Sequence, residues 1–516
     1  MTRQSTLSFV HELKVHPSPI QQKVLAKRLD AARQIYNACL GEALKRLKLM
    51  RESKAYQKAL SLPKGIKDKQ GENVYNKSRQ ALFKAAEVRY EFREYDLHRL
   101  VKELRKECWL SELIDSATAQ KLATRAFKAA KEYALGKRGK PRFRSKSRFS
   151  SVEGKSNQAG LRWQDGKVKW TGLELKVKFD LKDKQGLQAH ALSCRTKYVR
   201  LVQRKLKGVL VWFVQLIQEG TPYIKNKNQA GKETIGLDIG PSTIAYVGDS
   251  VAKLRAFCGE IDDRSAEIKR LQQKMSRSQR AMNVANFEAD RYKVNPNGRK
   301  IRKLGKVKTG VKQWNVSNKN LSIQFKVAEL NRTMQATRKR SHGELVNDIL
   351  RIGKTVKTEK LSYKGFQRIF GKSVGRHAPG LFLEKLRYKA ANAGGEVIEF
   401  NTKTTALSQS CQCGEQCKKK LNQRWHHCPK CGVRAQRDLY SGFLARFVQN
   451  NRLDAEQAVK AWAGAGILLE QAVSNLEQTT ISKVRPASFG LGQSQSGLPV
   501  KRESVQHKAL DVVACT

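Results

Sequence analysis

Long apolar segments are absent from this chain of 516 residues. No 18 consecutive apolar residues occur, and the best candidate, AWAGAGILL at 461–469, has half that length. The first 18 residues also lack the apolar run of a secretory signal peptide. We therefore expect no membrane span and no secretion. The expected location is the cytoplasm of a prokaryote, in association with the nucleoid, or the nucleus of a eukaryote.

Acidic residues are scarce. The 45 Asp and Glu residues face 102 Lys and Arg residues, which gives a formal net charge of +57 and a pI near 10.2. Self-repulsion of this size destabilises a compact state unless a polyanion neutralises it, so the composition predicts a nucleic-acid partner. A structural binder of the ribosomal type would share this charge. With 40% hydrophobic residues the chain is also long enough for two to four folded domains.

Hydrophobic periodicity alternates between helical and strand patterns, and we predict an α/β multidomain protein. Residues 1–15 and 136–230 are predicted to form one β-rich domain, into which the helical block 16–135 is inserted, with a loop around 63–72. The tail 448–516 is predicted to be partly disordered, from about position 475. Residues 231–410 combine strands with two long helices near 262–285 and 318–352, which a lysine-rich loop around 294–312 connects.

Cysteine is concentrated in one segment, since five of the ten cysteines fall between positions 411 and 431. Cys428 and Cys431, in CPKCG, form a regular metal-binding half-site, whereas Cys411 and Cys413 form a shorter CxC pair. Four thiolates in tetrahedral geometry are the usual structural zinc site. We therefore predict Zn²⁺ bound by these four cysteines, in a reducing compartment rather than a disulfide framework.

The irregular CxC pair leaves other ligand sets open. Cys417 is the alternative to Cys411, and His426 or His427 could replace one thiolate. In each case the zinc would be structural, contributing roughly 10 kcal/mol to local folding. The cluster ends seven residues before Asp438, so the metal would also position that carboxylate.

Three carboxylates lie at the ends of predicted elements: Asp238 after the apolar strand in IGLDIG, Glu359 near the end of a strand at 355–361, and Asp438 at the start of the helix DLYSGFLARFV. Taken singly, each has an ordinary structural explanation. Asp238 fits a turn residue, Glu359 fits a surface ion pair, and Asp438 fits a helix N-terminal charge. Together they fit phosphodiester hydrolysis, because a two-metal site can activate water and stabilise the leaving oxygen. We predict two Mg²⁺ ions, with Asp238 bridging them and the other two carboxylates binding one side each.

A basic segment follows the helical block, with seven cations between positions 137 and 148. Phe143 lies among them and Phe149 follows directly. Because cations bind phosphates and aromatic rings stack on bases, the segment indicates a nucleic-acid surface. A disordered basic linker is the alternative, and the lysine-rich loop around 293–312 is a similar but less specific case. The predicted nucleic-acid-binding residues are Lys137, Arg138, Lys140, Arg142 and Arg144.

In order and spacing, these motifs resemble the RuvC-like nuclease core of the TnpB family, RNA-guided endonucleases encoded by insertion sequences and often called transposase OrfB. The shared motifs are GLDIG, TEKL, SQSCQCG with CPKCG, and QRDLYSGFLA. HPSPIQQKVLAKRLDAARQIYNACL and KPRFRSKSRFSS resemble the N-terminal part of the same family, so the resemblance covers roughly residues 5–447. Compact type V CRISPR effectors share this architecture. The CxC pair and the long tail depart from the family pattern.

The resemblance implies a RuvC/RNase H-like core at 231–410, an inserted zinc knuckle at 411–431 and the last core helix at 432–447. It implies that the β-rich domain is a wedge domain and that its helical insertion is a recognition lobe. The implied activity is guide-RNA-directed cleavage of double-stranded DNA at one Mg²⁺-dependent site, by a monomer or a homodimer. Family members that lost carboxylates are RNA-guided repressors, and a transposition accessory protein is a further alternative. Because all three carboxylates are present, we expect a nuclease.

Overall fold

The computed structural model describes residues 6–67, 73–311, 313–420, 422–479 and Phe489. The chain divides into two compact units, Met1–Tyr223 and Ile224–Thr516. Helices and strands occur in both units, which confirms the mixed α/β class. The division lies a few residues before the boundary predicted at position 230.

The first unit is built on a seven-stranded antiparallel sheet. The strands of the sheet are β1 (Ser8–Val15), β4 (Ser151–Glu153), β5 (Arg162–Gln164), β6 (Lys167–Trp170), β7 (Leu173–Lys178), β8 (Thr196–Leu206) and β9 (Val209–Glu219). A separate hairpin consists of β2 (Gly65–Lys67) and β3 (Asn73–Tyr75). The sheet order is β4-β8-β9-β1-β7-β6-β5. The first strand therefore lies inside the sheet, between segments that follow it by more than 150 residues.

Among the described residues of this unit, six α-helices lie between β1 and β4, and a seventh precedes β8. They are α1 (Pro19–Glu52), α2 (Lys54–Ser61), α3 (Lys77–Arg89), α4 (Glu94–Glu107), α5 (Leu110–Leu113), α6 (Ser116–Ala134) and α7 (Leu187–Ser193). The longest, α1, begins at a capping box in which Ser18 and Gln21 each accept the other's backbone N–H, with Pro19 at the first helical position. The names wedge domain and recognition lobe remain predictions.

The second unit is built on a five-stranded mixed sheet in the order β12-β11-β10-β15-β16. Its parallel pairs are β10 with β15 and β15 with β16, and the other neighbours are antiparallel. The strands of the unit are β10 (Thr234–Ile239), β11 (Thr243–Val247), β12 (Ala252–Ala256), β13 (Arg291–Val294), β14 (Lys300–Lys303), β15 (Thr355–Glu359), β16 (Glu396–Phe400), β17 (Trp425–His427), β18 (Arg434–Gln436), β19 (Val448–Gln449) and β20 (Arg452–Leu453).

Helices cover both faces of this sheet. They are α8 (Ser265–Met282), α9 (Asn318–Ile352), α10 (Tyr363–His377), α11 (Pro379–Asn392), α12 (Thr402–Thr405), α13 (Arg437–Ala445) and α14 (Ala455–Thr479). Side chains alternate along a strand. Ile235 and Leu237 of β10 thus join a core with α9 and α11, while Ala245 and Val247 of β11 join a second core with α13 and α14.

Three sequence predictions need correction. The segment around 63–72 is not all loop, because β2 and β3 pair across it, although 68–72 lie outside the described residues. The lysine-rich loop contains the hairpin β13–β14. The tail is helical through Thr479, because buried Ala465, Leu469 and Ala472 give α14 an apolar stripe. The predicted disorder beyond 479 lies outside the described residues, apart from Phe489.

Within the part of the chain that the structure describes, no helix is long and apolar enough to cross a bilayer.

Asp115 connects the helices of the first unit to its sheet. Its carboxylate caps α6 by accepting the Thr118 N–H at 2.8 Å, and it also accepts the Trp170 indole N–H at 2.9 Å. We expect Asp115→Ala to lower the free energy of unfolding by about 2–3 kcal/mol, because it removes a cap and leaves a buried indole N–H unpaired. Urea unfolding followed by tryptophan fluorescence measures the change. Glu103→Ala, at an exposed position of α4, is the control, and an equal loss there would contradict the assignment.

Candidate functional site

Two of the three predicted carboxylates lie side by side at one edge of the mixed sheet. The parallel register pairs Leu237 of β10 with Thr358 of β15, so Asp238 and Glu359 follow at the next position of each strand. Residues at matching positions of neighbouring parallel strands point to the same face. The carboxyl ends of parallel strands are where open α/β sheets bind ligands. Asp238 faces α13, because its neighbours Leu237 and Ile239 point into the opposite core.

The third carboxylate, Asp438, reaches this edge from the first turn of α13. That helix packs on β10 and β11 at very close range, since a Cβ atom on Gly236 would overlap the carbonyl oxygen of Gly442. A Cβ on Gly442 would in turn lie 3.3 Å from the Val247 side chain. The Gln436 side chain caps α13 by accepting the Leu439 N–H at 2.8 Å. Two glycines thus bring the helix against the strand that carries Asp238.

Three further side chains contact Asp438. Thr243, which opens β11, places its hydroxyl 3.4 Å from one carboxylate oxygen. Arg437 Nε and Arg424 Nη1 lie 3.4 Å and 3.8 Å from the other oxygen. Their positive charge also acts on Asp238, whose pKa both arginines lower. The sequence interpretation missed these residues, because nothing in their local spacing marks them; only the neighbouring position of Arg437 could have suggested a role.

Burial and mutual repulsion disfavour the charged form of Asp238, and burial disfavours that of Glu359. Burial raises the pKa of Asp238 well above its usual range, and the nearby Asp438 and Glu359 charges raise it further. Burial also raises the pKa of Glu359 to about 7, opposed by a hydrogen bond from the backbone of Leu407. Because hard divalent cations prefer carboxylate oxygens, these three side chains are the candidates to bind such ions.

The second cluster is formed by cysteines. One sulfur atom from each of four cysteines lies within 4.8 Å of all the others, namely Cys411, Cys413, Cys428 and Cys431. Cys411 and Cys428 are fully buried, and the Sγ atoms of Cys411 and Cys431 are 3.4 Å apart. The donor set fits a tetrahedral structural metal site with soft ligands, such as Zn²⁺. The four are the ligand set preferred from the sequence.

The alternative ligands lie outside this cluster among the described residues. The thiol of Cys417 contacts that of Cys428, and the backbone of Cys417 donates to Gln409. His426 is buried and stacks on Tyr440 with ring centroids 4.3 Å apart, and its burial lowers its pKa to about 3. His427 is exposed.

Tyr440 connects the cysteine cluster to the carboxylates. It lies two residues after Asp438 in α13, and its hydroxyl accepts the Gln412 N–H at 3.0 Å while lying 3.4 Å from Cys411 Sγ. Trp462 of α14 packs edge-on against the same ring, with centroids 5.4 Å apart. The orientation of the helix that carries Asp438 therefore depends on the cysteine segment at one side and on the tail helix at the other.

The basic segment is anchored to the first unit rather than loose. Asn37 of α1 accepts the Arg144 N–H and donates to its carbonyl oxygen, at 2.8 and 2.9 Å. The five predicted binding residues are exposed, although Arg138 has an ion pair with Glu132 at 3.3 Å. Phe143 is 62% exposed and lines a cavity of about 860 Å³. The other lining residues are Leu44, Lys45, Lys48, Gly139, Lys140, Pro141 and Arg142.

Phe149 does not share this exposure, which corrects its predicted role in base stacking. Its side chain is buried, 6.0 Å from the Tyr36 ring, and the Arg125 guanidinium lies over it at 5.4 Å. A ring that already packs in the core has no free face for a base. Phe143 is therefore the aromatic residue of this segment that can stack.

The raised pKa of Glu359 predicts how pH affects stability. Its folded-state pKa, about 7, lies above its ordinary value of 4.5, so folded protein holds a proton that the unfolded chain has already lost between these values. Part of the free energy of unfolding is therefore lost as pH rises from about 4.5 to 7. Thermal unfolding in Mg²⁺-free, chelator-free buffer at pH 5 and pH 8 should show a smaller decrease in Tm for Glu359→Gln than for the unaltered chain. The control is Glu396→Gln, at the first residue of the neighbouring strand β16, which should show the same decrease in Tm as the unaltered chain. An equal decrease in Tm for the unaltered chain and both variants would contradict the assignment.

Zinc content tests the cysteine assignment. We expect about one zinc per purified chain by elemental mass spectrometry, less than a third of that in Cys428→Ser, and full content in Cys417→Ser. Loss of a ligand should also expose residues 405–445 to protease, because structural zinc contributes roughly 10 kcal/mol to local folding. If Cys417→Ser loses the metal while Cys411→Ser keeps it, the alternative ligand set is the right one.

Comparison with known proteins finds one matching family model and several similar solved structures. A family model, the Cas12f1-like TNB domain, matches residues 380–442, which include the four clustered cysteines and Asp438. Similar solved structures include a Cas12f1–sgRNA–target DNA complex, with 13% identity, a TM-score of 0.37, and coverage of 85% of this chain and 98% of that one. A CRISPR-Cas12f ternary complex shows 14% identity, a TM-score of 0.24, and coverage of 84% and 98%. No curated protein matches the sequence. The similarity that the family model shows is therefore to the TNB domain of Cas12f1-like proteins, over residues 380–442.

Proposed function

We propose that this chain is an RNA-guided endonuclease that hydrolyses DNA at one RuvC-like site. The observation that carries the proposal is that Asp238 and Glu359 occupy matching positions near the carboxyl ends of β10 and β15, with Asp438 near enough for its charge to raise the pKa of Asp238. The Cas12f1-like TNB domain, which ends four residues after Asp438, supports it. A protein that only bound nucleic acid would have no use for three adjoining carboxylates in a chain of charge +57.

Two Mg²⁺ ions would be held by Asp238, Glu359 and Asp438, whose carboxylate oxygens are the ligand type that Mg²⁺ prefers. When bound, such ions supply an activated water and charge stabilisation for the leaving oxygen. Asp238 is near both other carboxylates, since the charges of Asp438 and Glu359 raise its pKa. Arg424 and Arg437 hold Asp438 and reduce the repulsion between the site and a phosphate. Thr243 fixes the second oxygen of Asp438.

The proposed partners are a guide RNA and a double-stranded DNA target. The net charge of +57 requires a polyanion, and the exposed cations around the Phe143 cavity offer phosphate contacts beside a ring for stacking. Base pairing with the guide would supply sequence specificity, while the protein contacts mainly backbone and shape. The predicted surface comprises Lys137, Arg138, Lys140, Arg142 and Arg144.

The motif resemblance supports an origin in an insertion sequence, with a CRISPR-associated effector as the related possibility. An inactive RNA-guided repressor and a transposition accessory protein remain the alternatives, and neither accounts for the carboxylate cluster. The RNA bound to the protein distinguishes a guided enzyme from a general binder. Protein purified from cells that carry its own locus should contain one discrete RNA whose variable end matches flanking or target DNA. A smear of cellular RNA would contradict guided function.

Cleavage tests the carboxylates directly. With the copurified RNA and matching linear DNA, we expect Mg²⁺-dependent cutting that Asp238→Ala reduces at least 1,000-fold, because removal of a shared metal ligand abolishes the charge stabilisation of the transition state. RNA binding by Asp238→Ala should stay within about twofold. Glu396→Ala, a carboxylate at the opposite end of the parallel strands, is the matched control and should cut normally. Undiminished Mg²⁺-dependent cutting by Asp238→Ala would refute the proposed site.

A further inference from the structure

The hairpin β13–β14 is the most strongly charged exposed element of the second unit that the candidate active site does not use. Between positions 290 and 308 the sequence has eight Lys or Arg residues and one carboxylate, Asp290. All eight residues of the two strands are exposed. The ribbon therefore packs neither face against the cores of its unit.

Cross-strand pairing makes the ribbon costly for the isolated protein. Arg291 lies directly opposite Lys303, and like charges at facing positions destabilise a strand pair. The remaining register places an apolar side chain opposite a cation each time: Tyr292 with Arg302, Ile301 with Lys293, and Val294 with Lys300. An isolated two-stranded hairpin is at best marginally stable. The register thus contains one like-charge pair and no opposite-charge pair, and a polyanion would relieve the repulsion.

The base of the ribbon is nevertheless held firmly. Phe287 bridges to Val307 and packs edge-on against Trp314, with ring centroids 5.7 Å apart. The Arg280 guanidinium of α8 lies over the Phe287 ring at 4.3 Å and donates to the Gly305 carbonyl at 2.6 Å.

A carboxylate secures the other side of the base. Asp290 accepts the Gly305 N–H and the Arg302 Nε–H, both at 2.7 Å. A Cβ atom on Gly305 would overlap the Glu288 carbonyl, so the chain crosses here at close range. The hairpin therefore combines a well-anchored base with two exposed, cation-rich strands.

We propose that the ribbon, residues 291–303, binds duplex DNA by entering the major groove. This inference rests on the proposed function only in taking nucleic acid as the partner. A B-DNA major groove, about 12 Å wide, accepts a two-stranded β-ribbon. Four residues per strand extend about 10 Å, or roughly three base-pair steps. The mixture of side chains fits this groove, since cations at the rim meet phosphates and apolar groups meet thymine methyls.

The shape of the groove favours DNA over double-stranded RNA. The A-form major groove is deep and too narrow for side chains to read. A ribbon with both faces exposed needs a groove that encloses it on two sides, whereas a shallow minor groove would leave one face in water. Duplex DNA is therefore the ligand that uses all of the ribbon.

The test compares full-length protein, freed of copurified RNA, with a variant that removes four cations and no structural ion pair: Arg291→Gln, Lys293→Gln, Lys300→Gln and Lys303→Gln. Arg302 stays, because it holds Asp290. Fluorescence anisotropy gives the Kd for a 30-base-pair duplex with no guide present, between 50 and 300 mM salt. The slope of log Kd against log salt should fall by up to about 3.6 in the variant, since each lost phosphate contact removes about 0.9. Affinity at 100 mM salt should fall at least tenfold.

The matched control removes four exposed cations elsewhere in the same unit: Lys253→Gln, Lys354→Gln, Lys403→Gln and Lys460→Gln. It should change the slope by less than one. Both variants should unfold at the same temperature as the unaltered chain, which shows that the charges and not the fold account for the result. An equal slope change in the two variants would mean generic charge and would overturn the proposal.

A second probe separates groove entry from contact with the outside of the backbone. Duplex DNA with glucosylated 5-hydroxymethylcytosine has a blocked major groove and unchanged phosphate charge. The unaltered chain should bind this duplex at least fivefold more weakly than plain DNA, whereas the ribbon variant should bind both alike. Equal binding by the unaltered chain, or a loss in the ribbon variant confined to double-stranded RNA, would overturn the assignment. Because neither probe needs a guide or cleavage, failure here is distinguishable from failure of the proposed endonuclease activity.

Discussion

The contact between Gly236 of β10 and Gly442 of α13 is the constraint on which the candidate site depends. Any side chain at Gly236 would occupy the place of the Gly442 carbonyl, so the helix would move away from the sheet. Asp438 lies one turn before Gly442 and would move with it. The position of Asp438 relative to Asp238 is thus set by backbone packing at these two glycines. The carboxylates do not hold each other in place, because their charges repel one another.

The surrounding structure opposes that repulsion from several directions. One core holds β10 against α9 and α11, and another holds α13 against the sheet and α14. Tyr440 couples α13 to the backbone beside Cys411, so a metal bound by the cysteine cluster would also stiffen this helix. Arg424 enters from the segment between the cysteine pairs and reaches Asp438. The segment that matches the TNB family model, residues 380–442, therefore helps to position Asp438 as well as forming its own fold.

Local patterns in the sequence were sufficient to select the candidate site residues. Asp238 and Glu359 follow apolar strand residues, and Asp438 opens an apolar helical stripe, so each carries a signal within a few neighbours. Cysteine spacing likewise identified the set that clusters, even though one pair is irregular. The zinc and magnesium assignments themselves, and the domain names, remain predictions.

Long-range contacts were beyond the reach of sequence patterns. The Gly236–Gly442 approach joins positions 206 residues apart, and the contact of Thr243 with Asp438 joins positions 195 apart. Phe149 looked like a stacking residue because its neighbours are cationic, yet burial against Tyr36 decides its role. The many cations of β13 and β14 made this segment resemble a loop, so the pattern did not predict its two strands. The polar tail concealed α14, whose buried positions are mostly alanine and so add little hydrophobicity to the pattern.

The order of the carboxylates along the chain has a consequence for synthesis. Asp238 and Glu359 leave the ribosome before α13 exists, and domains generally fold as the N-terminal part emerges. A nascent chain that ends anywhere before Asp438 therefore holds an incomplete carboxylate set on an uncovered sheet face. Assembly of the candidate site waits for the cysteine segment and α13, so a translation product that ends before Asp438 would lack the proposed cleavage activity. The late position of one aspartate would make synthesis of α13 a condition for the proposed chemistry.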